Sequence, residues 1–221
     1  MHNIVNNLIS IQNELKIKIK KLDFINYNPN IIAVSKTFSI KDILPLINYG
    51  HIHFGENKVQ EAIEKWIDIK KDFKNIKLHM VGKLQTNKVK YVVPFFDYIH
   101  SLDNLKLAEK ISKEQTKNNK IMKLFIQINI GKENQKNGIA IEELDNFYIK
   151  CTQDLGLNII GLMCLPPNDN NTSNYFSKMQ HLVNQLKLKE ISMGMSNDYL
   201  EAIKYHSTYL RIGSKIFGSR N

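Results

Sequence analysis

A single (β/α)8 barrel of the TIM type, an α/β fold with an extra N-terminal helix, is what this 221-residue sequence predicts. Three observations carry the prediction. Eight short runs rich in β-branched and aromatic residues recur along the chain, and runs of that kind are strand candidates. Segments of helical period lie between them, which is the alternation that builds a parallel sheet. The length is close to the ~200–250 residues such a barrel uses. No linker of Pro, Gly and Ser divides the chain, so residues 1–221 read as one domain. An open doubly wound sheet would produce the same alternation, and strand number alone does not separate the two.

The elements follow in order. Ile4, Val5, Leu8, Ile9, Ile11, Leu15 and Ile19 recur at helical spacing and make the first twenty residues an amphipathic helix. The apolar run Ile31–Ser35 then reads as the first strand, with a helix from Ile40 that ends at Gly50. His51–Phe54 precedes a helix over Lys58–Lys70, and Leu78–Val81 precedes one over Thr86–Val92. Tyr98–His100 leads into Leu102–Gln115, and Lys123–Ile130 into Glu142–Gln153. Asn158–Met163 is followed by Tyr175–Leu186, Lys189–Ser192 by Asp198–Lys204, and Tyr209–Ile212 comes last. The turn-rich stretch Pro166–Asn171 reads as a connection beside the site rather than a domain boundary.

Composition narrows the function classes. Lys and Arg number 31 against 21 Asp and Glu, a net charge of +10. The lysines are dispersed, however, and Arg211 and Arg220 are the sole arginines. Nucleic-acid readers cluster guanidiniums and aromatic groups on one face, so no nucleic-acid partner is expected. Cys151 and Cys164 form no C-x-x-C pair, which argues against a zinc ribbon, a redox motif or a disulfide framework and suits the cytoplasm. No apolar run approaches the roughly 18 residues of a membrane span. Met1-His2-Asn3 lacks the opening of a signal peptide. His51 and His53 share one side of a strand but have no Cys, Asp or Glu at ligand spacing, so packing is preferred and no metal is expected.

Function in a barrel of this type sits at the carboxyl ends of the strands. The polar residues terminating the apolar runs are Lys36, Glu56-Asn57, Gly82, Asp103, Asn129, Ser192 through Ser196, Arg211 and Gly213-Ser214. A lysine ending an apolar strand has its ammonium disfavoured by burial, and a neutral amine attacks aldehydes to give a Schiff base. By itself such a lysine more often reaches past the apolar surface to water. Lys36 gains weight from Ser192–Asp198 and Gly213-Ser214, since loops after strands seven and eight are where these barrels hold phosphate. An ordinary helix cap would account for Ser196 or Asp198 without a ligand. Together, lysine and loops point to a phosphorylated aldehyde.

Several long blocks carry a resemblance to a known family. They are Ala33–Thr37, Phe54–Glu61, His79–Lys88, Gly161–Met163, Ser192–Asp198 and Arg211–Gly218. In this order they closely resemble the pyridoxal phosphate homeostasis proteins, over nearly the whole chain. The resemblance implies a single barrel like the N-terminal domain of alanine racemase. It implies that Lys36 holds pyridoxal 5'-phosphate (PLP) as an internal aldimine, and that Ser196, Gly213 and Ser214 contact the phosphate. Arg211 would face the pyridine nitrogen and Asn57 would line the open side of the cofactor, while His79 and Met193 match pocket walls or, more simply, packed interior positions. Four positions depart from the family pattern: Ser214 stands where Thr is common, His206 where Gly is usual, and Lys58 and Lys215 where Tyr and Ala are commoner.

A guanidinium has donors only, so it favours an unprotonated pyridine nitrogen and weakens the ring as an electron sink. By the same resemblance, racemases with such an arginine also use a second base and a further β domain, and ten residues follow Arg211 here. The expectation is therefore a non-enzymatic protein that buffers PLP and passes it to apo-enzymes, working as a monomer. The alternative is a PLP-dependent amino-acid racemase of low activity.

Overall fold

The computed structural model describes residues 3–133, 135 and 137–218. Met1, His2 and Arg220, used above, lie outside the described residues. Eight parallel strands close in sequence order: β1 (Asn30–Val34), β2 (His53–Glu56), β3 (Lys77–Met80), β4 (Tyr98–Leu102), β5 (Lys123–Ile128), β6 (Ile159–Cys164), β7 (Glu190–Ser192) and β8 (Tyr209–Ile212). β8 pairs back onto β1, with Asn30 opposite Tyr209 and Ala33 opposite Ile212. This closure excludes the open sheet.

Closure makes both faces of every strand interior, which is why β1 is apolar at successive positions instead of alternating with polar residues. Side chains still alternate in direction. Ile31 and Ala33 join the large core between strands and helices, whereas Ile32 and Val34 belong with Tyr98, Phe125, Met163 and Tyr209 to a separate cluster. That second cluster lies on the opposite, inward face of the strands.

The helices are α1 (Asn3–Lys21), α2 (Ile40–Asn48), α3 (Val59–Trp66), α4 (Ile69–Asp72), α5 (Val89–Phe95), α6 (Leu105–Asn118), α7 (Leu144–Ile149), α8 (Thr172–Gln185), α9 (Tyr199–Ala202) and α10 (Ser214–Phe217). The extra N-terminal helix α1 buries Val5, Leu8, Ile11 and Leu15, one stripe at spacings of three and four. It packs on α2, α9 and α10.

Several boundaries move from the sequence reading. The helix read as Leu102–Gln115 begins three residues later because Asn104 caps it, its side chain accepting the Leu107 N–H at 2.9 Å. Asn119, in the left-handed region at φ 47°, ends it. The segment Lys58–Lys70 splits into α3 and α4, and Glu142–Gln153 becomes a 3-10 turn, α7 and a π turn over Lys150–Asp154. β2 starts at His53 because pairing with Lys77 begins there.

The departures at His206 and Lys215 have local explanations. His206 adopts the left-handed conformation at φ 57°, where glycine is unstrained. Its ring stacks on Phe24 at 4.2 Å between centroids, which offsets that strain. Lys215 Nζ donates to Glu14 Oε2 at 2.8 Å and to the Tyr199 hydroxyl at 2.6 Å, tying α1 and α9 to α10. Lys58 pairs with Glu61 on the exposed surface.

Candidate functional site

The carboxyl ends of the strands surround a cavity of about 570 Å³. All six residues singled out from the sequence, Lys36, Asn57, Ser196, Arg211, Gly213 and Ser214, line it. They come from the exits of β1, β2, β7 and β8, so closure of the barrel is what gathers positions up to 178 apart in sequence. Val34, Phe38, Val81 and Leu165 supply apolar walls, and Pro166, Pro167 and Asn168 of the turn-rich loop complete one side. This mixture of apolar wall and few polar groups is the usual make-up of a cofactor site.

Lys36 is half-buried, two residues past β1. The backbone ahead of it is held by one carboxylate. Glu56 Oε1, at the end of β2, accepts from Ser35 Oγ at 2.8 Å, Lys65 Nζ at 2.9 Å and Trp66 Nε1 at 2.9 Å. Lys65 Nζ also donates to the Ser35 carbonyl at 2.9 Å. β1, β2 and α3 are thereby joined directly beneath the lysine. Thr37, at φ 70°, makes the turn that follows. Asn57 is seated by Gly82: a β-carbon there would lie 2.5 Å from the Asn57 carbonyl oxygen, so only glycine permits this approach.

The loops after β7 and β8 meet through Ser196, whose Oγ accepts the Lys215 N–H at 3.2 Å. The β7 loop turns at Gly194, which sits at φ 90°. A β-carbon at Gly194 would also approach Ala202 Cβ to 2.7 Å, so both conformation and space demand glycine. The same loop is cinched where Asp198 Oδ1 accepts the Met195 N–H. Burial raises the Asp198 carboxyl above its ordinary pKa, against the lowering influence of that bond and of Arg211.

Arg211 is buried at 5% exposure. Its Nη1 donates to Ser192 Oγ at 2.6 Å and Nη2 to the Cys164 carbonyl at 2.7 Å. Burial lowers its pKa from the ordinary guanidinium value, though arginine stays charged in proteins. Both acceptors are neutral, and Asp198, which lines the same cavity, adds a favourable charge interaction. These two acceptors and the charge of Asp198 offset the cost of burying the guanidinium beside the cavity. The donors, the half-buried lysine and the apolar walls fit a flat phosphorylated aldehyde.

Other sequence candidates fall elsewhere. His79 is fully buried inside the barrel and Met193 in the outer core, so neither lines the cavity. Asn129 brackets its own loop, exchanging side-chain hydrogen bonds with the Glu133 backbone at 2.9 and 3.2 Å. Asp103 accepts from Asn104 Nδ2 at 2.6 Å. Among the described residues no group of three His, Cys, Asp or Glu is placed to hold a metal, and no helix is long and apolar enough to cross a membrane. Sequence reasoning named Glu56 as a strand end without its partners, and it passed over Phe38 and Val81 as walls.

A closed barrel with a lysine at the exit of its first strand and paired loops after its last two defines a class of cofactor-binding barrels. Residues 13–221 match the family described as alanine racemase, N-terminal domain. Within that class the chain belongs to the pyridoxal phosphate homeostasis protein family. It is 37% identical over 229 residues to the pyridoxal phosphate homeostasis protein of Haemophilus influenzae, spanning 99% of this chain and 97% of that one. PipY of Synechococcus elongatus PCC7942, solved with PLP bound, is 30% identical and superposes with a TM-score of 0.84 over 97% of this chain and 100% of PipY. Alanine racemase of Bartonella henselae, solved with covalently bound pyridoxal phosphate, shares the fold: the TM-score is 0.69 at 14% identity, over 94% of this chain and 59% of the racemase.

Proposed function

We propose that this chain, acting as a single domain over residues 1–221, binds PLP covalently through Lys36 as a Schiff base, buffers its free concentration and passes it to apo-enzymes in the cytoplasm. We further propose that it does so as a monomer. When bound, the cofactor supplies an aldehyde that condenses with amines and a ring that, once its nitrogen is protonated, withdraws electrons from the condensed carbon. The observation that carries the reading is Arg211, a buried donor-only cation in the same cavity as Lys36. Facing a pyridine nitrogen it donates a hydrogen bond and withholds a proton, so the ring is kept a poor electron sink.

The remaining residues bind and orient. Ser196, Gly213 and Ser214 surround the phosphate where the β7 loop and the start of α10 meet, Asn57 covers the open side, and Val34, Phe38 and Val81 exclude water from the ring. Retention of the aldehyde protects other cellular amines from it. The full-length resemblance to proteins named for homeostasis supports a binding role, and PipY with PLP bound supports the choice of ligand. The racemase fold favours one other reading, a slow amino-acid racemase, for which L-alanine incubated with the loaded protein would lose optical rotation over hours.

The test is an absorption spectrum of the purified protein with PLP, before and after borohydride, followed by peptide mass spectrometry. A yellow, reducible adduct on Lys36 that is absent in Lys36→Ala is expected, together with reactivation of an apo-enzyme by the loaded protein. A sample that remains colourless with PLP, or a reduced label on another lysine, refutes the proposal.

A further inference from the structure

The barrel interior contains an uninterrupted run of polar contacts that the cavity does not account for. From Arg211 Nη1 the path goes to Ser192 Oγ at 2.6 Å, and from Ser192 Oγ to His100 Nδ1 at 2.8 Å. It continues from His100 Nε2 to His79 Nδ1 at 2.9 Å and from His79 Nε2 to His53 Nδ1 at 2.9 Å. Five residues from β8, β7, β4, β3 and β2 thus span the core toward the mouth opposite the cavity. The rings are packed on aromatics: His79 stacks on Tyr98 at 4.1 Å and His100 on Phe125 at 4.2 Å.

The direction of these bonds follows from the two ends. A guanidinium only donates, so Ser192 Oγ accepts from Arg211. The Ser192 hydroxyl hydrogen is then directed at His100 Nδ1. Were His100 to donate from Nδ1 instead, that buried hydroxyl hydrogen would be left unmade, at a cost of about 1–3 kcal/mol. His100 therefore accepts at Nδ1 and carries its proton on Nε2, which it gives to His79 Nδ1. By the same logic His79 donates from Nε2 to His53 Nδ1. A ring protonated on both nitrogens would set two donors against each other at a contact.

We propose that Ser192, His100, His79 and His53 are positioning residues: a hydrogen-bonded chain of one polarity, with all three rings as neutral Nε2–H tautomers, that holds Arg211 at the cofactor cavity and is itself oriented by it. Burial agrees with neutral rings, since it pushes His79 and His100 well below the ordinary histidine value and His53 to about 4, with the charges of Lys77 and Lys123 adding to the effect at His53. The tautomers concern the protein without cofactor. The consequence for the cofactor rests on the function proposed above.

Long-range ¹H–¹⁵N spectra of the apo-protein at neutral pH read each tautomer, with rings assigned through His53→Gln, His79→Gln and His100→Gln. All three Nδ1 atoms are expected to be unprotonated. Any one of them found as Nδ1–H or doubly protonated in the wild-type protein overturns the polarity; where a Gln variant does not fold, the wild-type rings are assigned instead by through-space contacts with Tyr98, Phe125 and Tyr209. In Ser192→Ala the anchor is gone, so the three rings should move together to mixed tautomers, although His53 is two hydrogen bonds beyond His100, and Ser192→Thr should restore them. PLP should bind about three- to tenfold more weakly to Ser192→Ala. The bound cofactor's visible absorption should also change its pH profile, as loss of packing alone would not cause. Rings that keep their tautomers in Ser192→Ala, with an unchanged pH profile, overturn the positioning role. Apo-protein rings as expected with no PLP binding by wild type would instead refute the proposed function and leave the polarity intact.

Discussion

Replacement of Glu56 by alanine tests the support beneath Lys36. One carboxylate oxygen of Glu56, 1% exposed, receives a hydroxyl, an ammonium and an indole N–H, each within 2.9 Å. The Lys65 side chain is only 11% exposed. Glu56→Ala would leave that ammonium with the Ser35 carbonyl alone and strand the indole N–H of the fully buried Trp66. Removing one partner of a buried ion pair costs about 3–5 kcal/mol. In a domain of this size each kcal/mol is about 2–4 °C in Tm, so the apo-protein should melt roughly 6–20 °C lower in a calorimetric or circular-dichroism scan. Glu56→Gln keeps the acceptor oxygen and should lose less. In Glu56→Ala with Lys65→Met the uncompensated charge is also gone, so part of the loss should return, which separates charge burial from mere truncation. PLP affinity should fall with stability, because Ser35 precedes Lys36. A drop below about 2 °C for Glu56→Ala would show that water or another group satisfies these donors and that the carboxylate does not brace the lysine.

Acid should destabilise the fold early. The rings of His51, His53, His79 and His100 are all held below 6.5 by burial; the unfolded chain therefore binds more protons, and stability falls as pH drops below about 6.5. At about 1.4 kcal/mol per pH unit for each ring, several kcal/mol should be lost between pH 6.5 and 5, and urea midpoints that stay flat over this window would contradict it. Ser196→Ala removes a hydroxyl that meets the Lys215 N–H and faces the cavity; loss of one hydrogen bond to a charged phosphate is about 1.5–3 kcal/mol, or roughly 10- to 150-fold in Kd for PLP, and an unchanged Kd would leave Ser196 as a loop brace only. Burial pushes both Cys151 and Cys164 thiols up to about 12, so iodoacetamide at pH 8 should label them only after unfolding, and rapid native labelling would refute their burial. His206→Gly relieves left-handed strain and removes the stack on Phe24; the two effects, each about 1 kcal/mol, should nearly cancel, and a Tm change above about 5 °C would show that one of them dominates.

The alternation of runs is enough to find eight strands, and β8 is legible at its observed limits because Tyr209, Leu210 and Ile212 form a short run, broken by Arg211 alone and bounded by polar residues on one side and glycine on the other. Helix limits were less legible. Asn104 moved the start of α6 by a hydrogen bond to Leu107, a choice made by capping rather than by periodicity. The site was largely legible because its residues end strands: Lys36, Asn57, Arg211 and the two loops each interrupt an apolar pattern with a group that has chemistry. Phe38 and Val81 were missed because an apolar wall looks like any other core residue in sequence. One histidine in each of three consecutive strands, His53, His79 and His100, was the available signal for the interior chain, but only the register of the closed sheet brings Nδ1 and Nε2 atoms to 2.9 Å.

The sequence by itself determined the fold class, the family and the residues placed around one cavity, because those depend on periodicities of two and 3.6 and on polar residues at strand ends, which are local properties of the chain. Tertiary structure decided the closure of β8 on β1, the seat of Glu56 among three donors and the course from Arg211 to His53. These are contacts between residues up to 179 apart, such as Asn30 and Tyr209 where β8 meets β1. No local pattern encodes which of them meet, since the distance and direction of a hydrogen bond exist only once the barrel has closed.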